Sequence, residues 1–222
     1  PPALNILQIL AVDLGTDLVP ALALGGEPPE PGLMEQPPRR KESPLLDRGL
    51  VVRAYLRLGL VQAAASMAAF LGAWWLAGVG LDALRALAPA LLSRAAAPGA
   101  EAAYRTATTA ALGAIVVCQM GNLFACRSER LSAFRVGAPS RLLWIGLLVE
   151  AALIAAAVYL PPLQAAFLTA PLPAAAWLAL LAGPAALLAA DEAAKWLGRR
   201  RPGAQGGGSS PARARAGRPR PS

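Results

Sequence analysis

Histidine is absent from these 222 residues. That excludes imidazole metal sites and Ser-His-Asp catalysis, which both need a ring nitrogen able to coordinate or titrate near neutral pH. Cysteine is scarce: Cys118 and Cys126 are the only two, and both fall in one apolar stretch. They read as reduced helix residues, not as a disulfide framework or a thiolate metal site. Carboxylates are few as well, 13 against 21 Lys and Arg, which leaves a formal net charge of +8. That excess would suit nucleic acid if it formed one solvated face. Here the cations lie between hydrophobic runs and in a basic tail, so no nucleic-acid partner is expected and the charge is assigned to loops at a membrane. The chain begins Pro1-Pro2-Ala3, with no initiator Met and no secretory signal ahead of its first apolar run. It reads as a piece of something longer, cut just before a membrane helix.

What is present is apolar. The chain is 56% hydrophobic with a mean hydropathy of +0.47, too apolar for an ordinary soluble domain and suited to a polytopic membrane protein. Much of that content is Ala and Leu, which favour helix. Five runs are long enough to cross a bilayer, for which about 20 residues suffice: residues 5–24, 54–79, 106–126, 142–160 and 174–190. The expected fold class is an all-α membrane protein, a bundle of five transmembrane helices over residues 1–201, with a disordered basic C-terminal tail at 202–222. The Gly206-Gly207-Gly208-Ser209-Ser210 run and scattered Arg of that tail cannot build a core. Small residues at Ala63-Ala64-Ala65-Ser66 and Ala155-Ala156-Ala157 would let the helices pack closely.

The basic residues orient the runs. Arg39, Arg40, Lys41, Arg48 and Arg53 lie between the first and second, Arg127, Arg130, Arg135 and Arg141 between the third and fourth, and Lys195, Arg199, Arg200 and Arg201 after the fifth. The other two connections carry only Arg85, Arg94 and Arg105. Five crossings put all three rich segments on one side, which the positive-inside rule makes cytoplasmic. A multi-pass cell-membrane protein follows, with its N-terminus outside, its C-terminus inside and membrane lipid around it.

Two carboxylates stand in the middle of the first run. Asp13, Thr16 and Asp17 are at i, i+3 and i+4, so they share one helix face. An Asp at that depth costs about 2.5–3.5 kcal/mol to insert, and no Lys or Arg in the run offsets it. Carboxylate and hydroxyl oxygens suit hard cations. Gly15 weakens the helix between them, and Pro20 has no N–H for the Thr16 carbonyl. An interruption near Gly15 to Pro20 is therefore expected, with a backbone oxygen freed beside the carboxylates. Gln119 and Asn122, at i and i+3 in the third run, fit either interhelical hydrogen bonding or a polar site. Glu150 lies near the middle of the fourth run, where an ionisable residue marks function by default. Asp191 and Glu192 reach Lys195 at i+4 and i+3 and read as an interfacial structural cluster.

At this point a resemblance is visible. The segment from Leu7 to Leu24, with Asp13-Leu14-Gly15-Thr16-Asp17 at its centre, resembles the sixth transmembrane helix of type II cation-transporting P-type ATPases. Glu27-Pro28-Pro29 and Met34-Glu35-Gln36-Pro37-Pro38-Arg39 are similar to the next cytoplasmic loop, Cys126-Arg127-Ser128-Glu129-Arg130 to the loop after the eighth helix, and Asp191-Glu192 with Lys195 to the end of the tenth. The likeness is collinear over about residues 3–200 and implies helices six to ten of that family. It implies cation ligands at Asp13, Thr16 and Asp17. Reticulum-type calcium pumps commonly have Asn where this chain has Asp13, and the form found here is closer to sodium/potassium pumps and bacterial relatives. Gln119 occupies a position where the calcium pump has a ligand Glu. Gln119, Thr16 and Glu150 resemble parts of the additional sodium site of the sodium/potassium pump, where Asn122 replaces an Asp. The transported cation, Na+, Ca2+ or another, stays open.

The phosphorylation motif Asp-Lys-Thr-Gly-Thr and the dephosphorylation motif Thr-Gly-Glu-Ser do not occur in these residues. The resemblance therefore assigns ATP and Mg2+ to the full-length parent, makes the N-terminal part of the pump the expected partner, and implies that this region alone neither hydrolyses ATP nor pumps. Two other readings stand beside it: a small secondary cation or proton carrier using Asp13, Asp17 and Glu150, and a non-transporting structural membrane protein.

Overall fold

The computed structural model of the chain describes residues 1–29, 46, 48–93, 95–128, 131–133 and 135–199. The expected tail at 202–222 and most of the loop after the first span lie outside them. Among the described residues there are helices and no strands, and five helices are long and apolar enough to cross a membrane. They are Ile6–Gly25, Arg48–Leu76, Pro98–Cys126, Arg141–Tyr159 and Ala174–Arg199, here the first to fifth spans. Three of them outrun their apolar runs. The second begins at Arg48, because the helix runs on through Arg48 and Arg53 ahead of the apolar run. The third begins at Pro98, which suits the first helical turn where its missing N–H costs nothing. The fifth continues to Arg199 and is broken once, between Leu180 and Ala182. Pro184 causes that break, since it cannot donate to the carbonyl of Leu180.

Two spans are widened into π-helix. In the first, Ala11–Thr16 is π, and the Asp17 N–H reaches back five residues to the Val12 carbonyl at 3.2 Å. The expected interruption is therefore a wound-out turn that starts before Gly15, after which the α-helix resumes over Leu18–Gly25. In the second, Val52–Gly59 is π, and a Cβ on Gly59 would stand 3.0 Å from the Ala54 carbonyl oxygen. Glycine there relieves the crowding of that wider turn.

The third span is the centre of the bundle, with 67% of its most apolar window buried, against 17–33% for the others. The second and fifth spans pack on it most closely. Phe70 and Trp74 of the second meet Ala107 and Ala111 of the third together with Leu84 and Leu91 of the connecting helix Leu81–Leu92. Leu58, Cys118, Ala125 and Leu187 join the second, third and fifth spans further along. Closest approach is made by glycine. A Cβ on Gly183 would lie 2.7 Å from Cys118 Sγ, and one on Gly121 2.7 Å from Pro184 Cβ. Of the small-residue runs flagged in the sequence, Ser66 is buried and donates to the Ala111 carbonyl at 3.2 Å, Ala157 is buried and Ala65 packs beside Gly183, while Ala63, Ala64 and Ala155 face outward. Close packing thus rests on single small residues at crossing points.

Contacts between chain-distant residues identify the two ends of the bundle. At one end Arg53 binds Asp191, and Glu27 binds Arg127 and the Ser140 N–H. At the other, Tyr104 donates to the Pro2 carbonyl and Asn5 to the Phe167 carbonyl. Successive spans therefore run in opposite directions, as five crossings require. The Glu27–Arg127 pair is 2.7 Å long, and its side chains are only 9% and 2% exposed. Arg127 also donates to the carbonyls of Gly137 and Ala138 at 3.2 Å each. Burial pushes the Glu27 carboxyl up, but hydrogen bonds from Ser140 and Arg127 and the Arg127 charge outweigh it, leaving the group below its ordinary value.

A carboxylate with a lowered folded pKa binds fewer protons folded than unfolded. Its stabilisation is complete above the ordinary glutamate range and disappears as pH falls through the folded value. Glu27→Gln should therefore flatten the acid side of the stability profile, read as melting temperature from neutral pH to about pH 3. An acid limb as steep as in the parent would overturn this assignment.

Candidate functional site

The polar residues of the spans converge because two helices cross closely. A Cβ on Gly146 of the fourth span would lie 3.2 Å from Ala23 Cβ and 3.3 Å from Pro20 Cα of the first. The spans are antiparallel, so one turn beyond this crossing Glu150 comes to the level of Thr16 and Asp17. Thr16 is buried, and its hydroxyl donates back to the Val12 carbonyl at 3.0 Å, a contact that helps bend helices. It also lies 3.4 Å from Gln119 Oε1 of the third span.

Beside these groups is a cavity of about 340 Å³. Its polar walls are Asp17, Gln62, Gln119, Asn122, Cys126 and Glu150. Glu150 is fully buried, and neither carboxyl oxygen has a hydrogen-bond partner among the described residues. That is an exposed cost: a buried polar atom left without a partner forfeits about 1–3 kcal/mol, more if charged. The cavity holds carboxylate and amide oxygens, and among the described residues no Lys or Arg lines it. Chemically it can accept a cation, a proton or donors from another chain segment.

The structure thus brings Asp17, Gln119, Asn122 and Glu150 around one cavity, with Thr16 hydrogen-bonded behind it. Asp13 is placed elsewhere, exposed on the outer face of the first span and absent from the cavity lining. Among the described residues no three Asp, Glu, Cys or His side chains form a ready-made metal shell. Gln62 and Cys126 belong to the cavity although the sequence reading assigned them no part. Gln62 is the one amide in an otherwise apolar stretch of the second span, a signal the sequence carries. Cys126 carries none, because a thiol at a helix end is ordinary. Its Sγ lies 3.5 Å from Asn122 Oδ1, one turn back.

Comparison with known proteins agrees with this architecture. The family model described as "Cation transporting ATPase, C-terminus" matches residues 1–197. The sodium/potassium-transporting ATPase subunit alpha-4 of Rattus norvegicus is 32% identical over 218 residues, covering 91% of this chain. The alpha-2 subunits of Gallus gallus and Homo sapiens are 32% and 30% identical, again over 91% of this chain. The chain spans about a fifth of the length of these curated relatives, 21% in each case.

Proposed function

The chain belongs to the cation-transporting ATPase C-terminal family as a multi-pass membrane region of a P-type ATPase, and on that premise we propose that it supplies the intramembrane ligands of an ATP-driven cation pump. Asp13 and Asp17 are direct carboxylate ligands, and Thr16 adds a hydroxyl or backbone oxygen. Gln119, Asn122 and Glu150 are further or supporting oxygens in the same interhelical space. The observation that carries this reading is the cavity where Asp17, Gln119 and Asn122 meet a buried Glu150 with two unpartnered oxygens. Bare carboxylates at that depth are costly, and a bound cation offsets the cost. An oxygen-rich set suits a hard cation, in the class of Na+ or Ca2+. Asp13, one turn from Asp17 on the open face, ligates from the side where the remaining helices of the pump pack.

Phosphorylation by ATP with Mg2+ belongs to domains outside this sequence, so the region alone hydrolyses nothing. Its share of the work is to bind and orient the ion. The arginine-rich end of the bundle faces the cytoplasm of a cell membrane by the positive-inside rule.

The test is ion-stimulated phosphorylation of a full-length pump carrying this region. The parent should respond to one of Na+, K+ or Ca2+. Asp13→Asn keeps a ligand oxygen and loses its charge, which should raise the half-saturating ion concentration on the order of tenfold. A parent that responds to no cation would remove the reading, and an unshifted Asp13→Asn would remove Asp13 from the ligand set.

A further inference from the structure

One apolar helix lies outside the five spans. Leu81–Leu92 joins the second span to the third, at the end of the bundle opposite the arginine-rich one. Its sequence, LDALRALAPALL, carries only two charges, Asp82 and Arg85. One strip of it packs on the bundle: Leu84 and Leu91 are buried in a cluster with Trp74 and Ala107. Leu81 and Leu92 flank that strip and stay 59% and 65% exposed. They stand about three turns apart on one face, ~16 Å along the helix. Arg85, at i+4 from Leu81, borders them, and Asp82 lies further round.

The spans fix the depth of this helix. Arg53 donates to the Ala125 carbonyl, so the two residues lie near one level at the arginine-rich end. The hydrocarbon core takes about 20 residues of helix. Counted outward from that level, it ends near Ala73 in the second span and near Arg105 in the third. Residue chemistry agrees with both positions. Trp74 and Trp75 follow Ala73, Glu101 and Arg105 form an ion pair at the head of the third span, and the Trp74 and Tyr104 rings stack with centroids 6.4 Å apart. Both ends of the connecting helix are held at this boundary. Leu81 follows the last residue of the second span, Leu76, after four residues, and Leu91 lines a small cavity with Tyr104, Arg105 and Thr108. The helix therefore lies along the boundary between acyl chains and headgroups. Trp75 and Leu76, 76% and 80% exposed, carry large apolar side chains at the same level. A helix so placed directs leucines toward the chains and charges toward the headgroups. Arg85 is held only by an exposed pair with Asp82, 3.4 Å long, which is weak enough to yield to a lipid phosphate.

We propose that Leu81–Leu92 is an interfacial helix lying flat in the leaflet opposite the arginine-rich end, with Leu81 and Leu92 among the acyl chains and Arg85 at the phosphates. Its partner is phospholipid, and it fixes the ends of the second and third spans at one depth. It stands independently of the cation site.

The experiment places a nitroxide, one position at a time, on Leu81→Cys, Leu92→Cys, Asp82→Cys and Ala86→Cys variants of the full-length protein in phospholipid liposomes, with Cys126 and other reactive thiols replaced. All four side chains are exposed, so none of these changes disturbs the packed strip. Relaxation by oxygen, which concentrates among acyl chains, is compared with relaxation by a water-soluble nickel chelate. The oxygen-to-nickel ratio should be severalfold higher at positions 81 and 92 than at 82 and 86. The depths read at 81 and 92 should agree within about one helical turn, ~5 Å. Equal ratios at all four positions would put the helix in water and overturn the proposal. A depth difference near the full ~16 Å would stand the helix upright and overturn it equally. Poor access of both reagents to 81 and 92 would mean that a protein surface, not lipid, covers the leucines.

Discussion

Asp17→Asn in a full-length pump carrying this region should reduce ion-stimulated phosphorylation to background while leaving the melting temperature close to that of the parent. Asp17 is the carboxylate of the first span that lines the cavity with Gln119, Asn122 and Glu150. The substitution keeps the shape and one oxygen but removes a full negative charge from a site that no cationic side chain lines among the described residues. Removing one member of a desolvated charge pair costs about 2–5 kcal/mol, so ion affinity should fall by roughly two orders of magnitude. Stability should move little, because Asp17 is exposed in the bundle and holds no ion pair among the described residues. Retained ion stimulation would remove the site. Lost stimulation together with a much lower melting temperature would mean that Asp17 is structural.

The opposite pattern is expected at Asp191, which should behave as a folding residue. Asp191→Asn should lower stability by about 3–5 kcal/mol, the usual cost of stranding buried charge. Asp191 Oδ1 is 3.0 Å from Arg53 Nε, and its Oδ2 is 2.7 Å from Lys195 Nζ. The Asp191 and Lys195 side chains are 1% and 2% exposed, and that of Arg53 11%. Arg53 also donates to the carbonyls of Ala125 and Ser128, and Lys195 to that of Ala125. One carboxylate therefore balances two cations that tie the second and fifth spans to the end of the third. Glu192 lies 3.8 Å from Lys195, and its carboxylate accepts from the Ala133 N–H, so it cannot simply replace Asp191. Yield of folded full-length protein and its melting temperature in detergent test this. A melting temperature matching the parent's would show that the network is worth no more than a surface pair. Replacing Arg53, Asp191 and Lys195 together with apolar residues of similar volume should recover much of the loss, since no charge is then stranded.

The membrane architecture was legible in the sequence because bilayer crossing is a property of single segments. Five apolar runs of sufficient length, each able to satisfy its own backbone hydrogen bonds as a helix, gave five helices with nearly the expected centres. The first-span carboxylates were legible for the same local reason: an Asp costs free energy wherever it lies in an apolar run, whatever packs beside it. Family membership was legible from collinear motifs. The tail expected at 202–222 lies outside the described residues.

Tertiary structure decided what depends on which helix faces which. Sequence spacing pairs Asp191 with Lys195 inside one helix, worth a few tenths of a kcal/mol at a surface. Only the fold brings in Arg53, 138 residues away, and buries Asp191 and Lys195 beside it. Helical periodicity joins Asp13 and Asp17 on one face; only the crossing at Gly146 decides that Asp17 lines the cavity with Glu150, and that Asp13 does not. Gln62 and Cys126 enter the cavity for the same reason. The division is physical. Transfer into lipid sums over neighbours along the chain and can be read from it, whereas pairing of polar groups depends on distances between helices, which packing at a few small residues fixes.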